Sequence, residues 1–301
     1  MFEDFETGTA DCGESRIYYR RSGQGPPLLL LHGFPETHLM WRDVAPLLAE
    51  NFTTVCADLR GYGRSSCPES AADHAPYAKR TMGTDMITLM ELLGFTQFAV
   101  VGHDRGGRVA YRMALDHPDR VQALAVLDVV PTAAAWERAD DRFALAYWPW
   151  SLLAQPAPLP EQILAESADA VVEHALAEWG SDAAAFPAEV RAAYAEALAD
   201  PAHAHAICEE YRAGAMLDRV HDQADRNDGR RIRSPLLLMW SGGGALGSWY
   251  EAEGGPIGLW RAWAERVEGQ AVAAGHFFPE EMPERTAELL FQFLVDAAAL
   301  A

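Results

Sequence analysis

The feature that most constrains this chain is the stretch Val100-Val101-Gly102-His103-Asp104-Arg105-Gly106-Gly107, where an apolar run meets a Gly-x-Asp-x-Gly turn and passes into a helix-like sequence. A strand that turns at once into a helix brings two backbones into close approach, so glycines flank the turn and the side chain between them projects from the strand end. That side chain is Asp104. A carboxylate nucleophile attacking an sp3 carbon gives an alkyl ester, whereas a serine is suited to acyl groups. Aspartate also favours helix N-caps, so the turn by itself leaves a structural role open.

The surrounding pattern places the turn on a sheet. Strand-like apolar runs occur at residues 27–31, 52–57, 98–101, 123–127 and 235–239, with a weaker one at 269–273. Helical patterns at 84–93 and 108–117 lie between them, and another at 283–294 closes the chain. This alternation predicts an α/β fold with a mostly parallel sheet covered on both faces. Leu28 to Leu31 show no polar alternation, as expected of a central strand buried on both sides. From about Pro131 to Asp222 the sequence becomes Ala- and Glu-rich, helical and studded with aromatics. We therefore expect a core made of residues 1–131 and 223–301, with residues 132–222 inserted as a helical cap over Asp104. The Pro-rich stretch at 155–160 reads as a rigid connection inside that cap.

Composition narrows the partners. Half of the 301 residues are apolar, enough for one large core with an insertion. A net charge of -20 argues against nucleic acid or an anionic membrane as partner. Lys79 is the only lysine, a bias that base composition alone could produce. Cys12, Cys56, Cys67 and Cys208 contain no C-x-x-C pair and read as reduced and structural. The first 13 residues are acidic, and no apolar run approaches about 18 residues, so a soluble, cytoplasmic protein is expected.

The turn resembles the nucleophile elbow of the α/β-hydrolases, with aspartate where serine is familiar. In that fold a histidine follows the last strand and precedes the final helix, the place held here by His276. Asp128 ends the 123–127 run and could orient the imidazole. In many hydrolases of this fold the acid follows the next strand, but here 240–246 holds no carboxylate before Glu251, so Asp128 is the better candidate. His32-Gly33-Phe34-Pro35 follows the first buried strand, where the backbone N–H groups of Phe34 and Arg105 would serve a tetrahedral oxyanion. His32 itself reads as a turn residue, and the 58–65 segment as a structural signature of the superfamily. Arg105 and Arg108 lie one turn apart on one helix face, forming a fork suited to a substrate carboxylate and favouring ionised Asp104.

Gly102-His103-Asp104-Arg105-Gly106-Gly107-Arg108, Leu127-Asp128-Val129-Val130-Pro131-Thr132, the 155–161 run and Gly275-His276-Phe277-Phe278 together resemble the fluoroacetate (haloacetate) dehalogenases over nearly the whole chain. The resemblance implies two steps. Asp104 displaces halide from a haloacetate held by Arg105 and Arg108, and His276, oriented by Asp128, activates water to cleave the ester. It implies a small halo-acid as partner, a homodimer, and no cofactor or metal; the pair His203 and His205 is too sparse for a metal and reads as part of a cap loop. The family holds the leaving fluoride with a cap His-Trp pair and a tyrosine. Trp150 and Tyr211 match, but Pro149 stands at the histidine position and offers no side-chain donor. Chloro- or bromoacetate is therefore expected to react better than fluoroacetate. Trp148, Tyr147 and Trp179 are further candidates for the pocket wall. Two other readings are an epoxide hydrolase, with Tyr147, Tyr194 or Tyr211 activating the epoxide oxygen, and a non-catalytic ligand receptor on the same fold.

Overall fold

The expected strands align into one sheet. The computed structural model describes residues 2–181 and 185–299, which leaves Met1, residues 182–184 of the expected cap, and the last two residues outside the description. The strands are β1 (Glu6–Cys12), β2 (Ser15–Ser22), β3 (Pro27–Leu31), β4 (Thr53–Ala57), β5 (Phe98–His103), β6 (Val121–Leu127), β7 (Leu236–Ser241) and β8 (Val267–Val272). Their order across the sheet is β1-β2-β4-β3-β5-β6-β7-β8. From β4 to β8 every pairing is parallel, while β1-β2 and β2-β4 are antiparallel.

Burial follows the sequence pattern. Leu28, Leu29, Leu30 and Leu31 are fully buried, as the unbroken apolar run requires, and they alternate between two cores on opposite faces of the sheet. Helices Lys79–Leu92 and Asp104–Asp116 cover one face, and Pro283–Ala299 packs on the other. The β1-β2 hairpin is the part of the sheet absent from the sequence reading. β1 is a largely exposed edge strand and lacks the apolar run that marks its neighbours.

Between β6 and β7 all the named elements are helical, from Thr132–Glu137 to Arg219–Asn227. Helix Pro201–Ala213 runs into a π-helical turn, Gly214–Asp218, an irregularity frequent at functional sites. The 155–160 stretch leads into helix Leu159–Glu166, and the Gln155 carbonyl accepts from the Arg212 guanidinium at 2.7 and 2.9 Å.

The junction of β5 with helix Asp104–Asp116 is as tight as the glycines imply. A Cβ on Gly102 would lie 2.3 Å from the Gly106 carbonyl oxygen, and one on Gly106 would lie 2.4 Å from the His32 oxygen and 2.5 Å from the Leu31 oxygen. Because those obstacles are backbone, they cannot rotate away. Gly106→Ala should therefore lose about 2–3 kcal/mol of stability despite the better helix propensity of alanine, read as a lower urea midpoint.

Candidate active site

Three strand ends converge on one cavity of about 360 Å³. Asp104, on the turn after β5, is held at φ +42°, a left-handed conformation that non-glycine residues adopt only when their surroundings enforce it. Its Oδ2 accepts the Phe34 N–H at 3.1 Å. Asp128 follows β6 and is also left-handed, at φ +54°. Its Oδ1 accepts the Ser241 N–H at 2.9 Å, and its Oδ2 lies 2.6 Å from His276 Nδ1. With Nδ1 donating to that carboxylate, His276 Nε2 is left as the basic nitrogen. The helical segment grips the same histidine: its N–H donates to the Trp179 carbonyl at 2.9 Å, and the Trp179 ring meets the imidazole edge-on at 5.4 Å. Asp104, Asp128 and His276 all line the cavity.

The charge state of Asp104 is set by neighbours on several elements. Burial pushes the Asp104 carboxyl upward, but His276, Arg105, His103 and Arg108 together hold it below the usual carboxylate range. It is therefore ionised at neutral pH. His103 was not among the expected site residues, yet it sits directly behind Asp104. Burial pushes its imidazole down, but the Glu36 carboxylate, 2.9 Å from Nδ1, outweighs burial and carries it up to about 9. Its Nε2 lies 2.9 Å from the His276 carbonyl oxygen. With both nitrogens protonated, His103 joins Glu36, in the turn after Phe34, to the backbone of His276.

The two arginines depart from expectation. An open fork was expected at Arg105, but its Nε lies 2.9 Å from both oxygens of Glu210 and its Nη2 2.5 Å from Oε1. Glu210 is fully buried on helix Pro201–Ala213 and is also ion-paired with Lys79. The physical reason is compensation: a guanidinium 1% exposed needs a nearby anion, and the segment supplies one. Burial and the adjacent Arg105 charge push Lys79 well below the ordinary lysine range. The only lysine is thus part of a buried ionic cluster behind the site. Arg108 is less fully engaged. Its Nη1 donates to the Val130 carbonyl at 3.0 Å and to Thr132 Oγ1 at 3.2 Å, while its buried Nε meets no acceptor among the described residues. Neither arginine is part of the cavity wall as it stands; Trp150 lies between, with its ring 5.4 Å from the Arg105 guanidinium carbon and 4.3 Å from that of Arg108.

Trp150, Tyr211 and Pro149 line the cavity, together with Tyr147 and Trp179, whereas Trp148 does not. Burial raises the Tyr211 phenol, so it remains a donor, and its ring stacks on Arg105 at 4.0 Å. Tyr194 is turned away, its hydroxyl 3.1 Å from Glu280, which removes it as an epoxide activator. His203 and His205 sit on helix Pro201–Ala213, a correction to the expected loop, because Asp200 caps that helix through the Ala202 and His203 N–H groups. Among the described residues no group of three or more His, Cys, Asp or Glu side chains is placed to hold a metal. His32 and the 58–65 segment form local structure: His32 Nε2 accepts the Leu59 N–H, and Asp58 accepts the N–H groups of His38 and Arg64. The four cysteines are free thiols.

Glu210, Glu36 and His103 are the residues that sequence reasoning missed. Glu210 adjoins Tyr211, but nothing in Glu209-Glu210-Tyr211-Arg212 marks which acid turns inward.

The alpha/beta hydrolase fold model matches residues 26–281. A fluoroacetate dehalogenase from Burkholderia sp. is 45% identical over 99% of this chain and 96% of its own. A soluble epoxide hydrolase from Corynebacterium sp. (strain C12) is 32% identical over 94% and 92%, respectively. A solved alpha/beta hydrolase structure from Nostoc sp. PCC 7120 superposes with a TM-score of 0.94 at 46% identity, covering 98% of this chain and 99% of that one.

The raised pKa of His103 has a measurable consequence. Because its folded value of about 9 lies above the ordinary 6.5, its contribution is complete below pH 6.5 and disappears as the pH rises through 9. The wild-type protein should lose about 3 kcal/mol more unfolding free energy than His103→Gln between pH 6 and pH 10, measured by urea denaturation at each pH.

Proposed function

The chain belongs to the alpha/beta hydrolase family, and we propose that it removes halide from small 2-haloacids, converting a haloacetate to glycolate. The observation that carries this reading is an ionised carboxylate, Asp104, on a left-handed strand-to-helix turn, in one cavity with a His276–Asp128 pair. A carboxylate in that position can displace a leaving group from sp3 carbon, and the pair can then drive hydrolysis of the resulting ester.

In the first step Asp104 attacks the α-carbon and halide departs with the bonding electrons. The Trp150 indole N–H and the protonated Tyr211 phenol receive it. The substrate carboxylate lies on the Arg105 and Arg108 side, whose charges act across the Trp150 ring; the buried Nε of Arg108, which meets no acceptor among the described residues, supports this assignment. Glu210 offsets Arg105, which leaves Arg108 the larger share of that role. In the second step His276 Nε2 takes a proton from water, and Asp128 stabilises the imidazolium. The new hydroxyl attacks the ester carbonyl, and the Phe34 and Arg105 N–H groups meet the oxyanion; its collapse breaks the bond between the carbonyl carbon and the substrate oxygen, and the His276 imidazolium protonates the departing glycolate oxygen. Phe34 N–H already donates to the Asp104 carboxylate, in keeping with that role.

Residues 132–222 act as the cap, and we expect a cytoplasmic homodimer. The epoxide hydrolase reading draws on the Corynebacterium relative and on Tyr147 and Tyr211 in the cavity. Two buried arginines behind Trp150 favour an anionic substrate instead. Diol formation from styrene oxide without halide release would reverse that preference. A ligand receptor would have no use for a strained nucleophile beside an oriented base.

His276→Ala incubated with bromoacetate should accumulate a carboxymethyl ester on Asp104, seen by peptide mass spectrometry; bound acid with unmodified Asp104 excludes the mechanism. Pro149 gives the leaving halide no side-chain donor, so wild-type turnover should follow bromo- and chloroacetate above fluoroacetate. Pro149→His should raise fluoride release by about tenfold or more, measured with an ion-selective electrode.

A further inference from the structure

The cavity is much larger than a two-carbon acid. At about 360 Å³ it falls within the range of roughly 300–1,000 Å³ typical of sites for drug-sized ligands. Its two sides differ in chemistry. The side toward Arg105 and Arg108 is formed by Trp150 and Tyr211, which lie against the guanidinium groups. The side toward the Asp128–His276 pair is formed by Trp179, whose indole N–H donates to the Ala146 carbonyl at 3.2 Å, and by the loop after Ser241, whose N–H holds Asp128. There the wall is made of very small residues, Ala146, Gly243, Gly244 and Ala245.

We propose that this protein acts on 2-haloacids bearing an extended apolar substituent on the α-carbon, and that the wall formed by Ala146, Trp179 and residues 243–245 receives that substituent. The inference rests on the dehalogenase reading. With the carboxylate held from the arginine side and the halide at Trp150 and Tyr211, the remaining group on the reacting carbon faces the small-residue wall. Among the described residues no cationic side chain lines it, and the exposed Glu178 adjoins it, so a neutral alkyl or aryl group fits and a second carboxylate does not. The reaction balances as before. Asp104 forms a C–O bond as the carbon–halogen bond breaks; water then supplies the oxygen retained by the enzyme, and a 2-hydroxy acid, halide and a proton are released.

The test compares acids with the same secondary reacting centre, so that only the substituent varies. For bromide release from 2-bromopropionate, 2-bromobutyrate and 2-bromohexanoate, kcat/KM should rise along the series, by about tenfold between its ends, with bromoacetate as the reference. A Cβ on Gly243 meets nothing within 4 Å, and its backbone is not left-handed, so Gly243→Leu can be made without strain and fills the wall. That variant, or Ala245→Leu if it folds poorly, should lower the ratio of 2-bromohexanoate to bromoacetate turnover at least tenfold. Turnover of bromoacetate together with falling kcat/KM along the series overturns the inference alone, as does an unchanged ratio in both variants. Bromide release from none of the acids, bromoacetate included, overturns the dehalogenase reading with it.

Discussion

The close approach of two backbones at the end of β5 is the constraint on which the site depends. Gly102 and Gly106 let helix Asp104–Asp116 begin within contact of β3 and β5, and the chain between them turns left-handed at Asp104. With any other residue at Gly106 the helix would have to lift away from the His32 and Leu31 carbonyls. Asp104, the Phe34 N–H and the arginines on that helix would then lose their common frame. Asp128 repeats the device on a smaller scale, left-handed at the end of β6 with its carboxylate pinned between Ser241 and His276.

A protein of net charge -20 gathers cations around this one point. Arg105, Arg108, Lys79 and His103 are all buried near Asp104, each against a defined partner. Glu210 answers Arg105 and Lys79, and Glu36 answers His103. Glu36 also adjoins Glu280, whose carboxyl is raised well above its ordinary range by burial and by Glu36, and which pairs with Arg42. Cations and anions are thus paired at one buried point of an acidic protein, so total charge carries no information about the pocket.

The parallel strands were legible because unbroken apolar runs leave a fully buried strand no other arrangement. Asp104, Asp128 and His276 were legible because two directly follow strands, the third lies in the turn between the last strand and the final helices, and each is a residue type with chemistry to perform. The β1-β2 hairpin was not, since an exposed edge strand carries little apolar signal. The pairing of Arg105 with Glu210 was not either, because it joins residues from a core helix and an inserted helix, and spacing along the chain cannot say which of two adjacent acids turns inward. Reading the lone Lys79 as compositional bias missed its burial for a related reason: a single residue has no periodicity.

The grip of Trp179 on His276 has a consequence for modularity. The inserted segment supplies a carbonyl to the backbone N–H of His276 and an indole edge to its ring. His276 is therefore jointly held by two parts of the chain, and the insertion is not an exchangeable lid. A chimera carrying a relative's insertion would inherit that relative's histidine geometry along with its pocket, so shape selectivity and hydrolytic competence would be transplanted as a single trait.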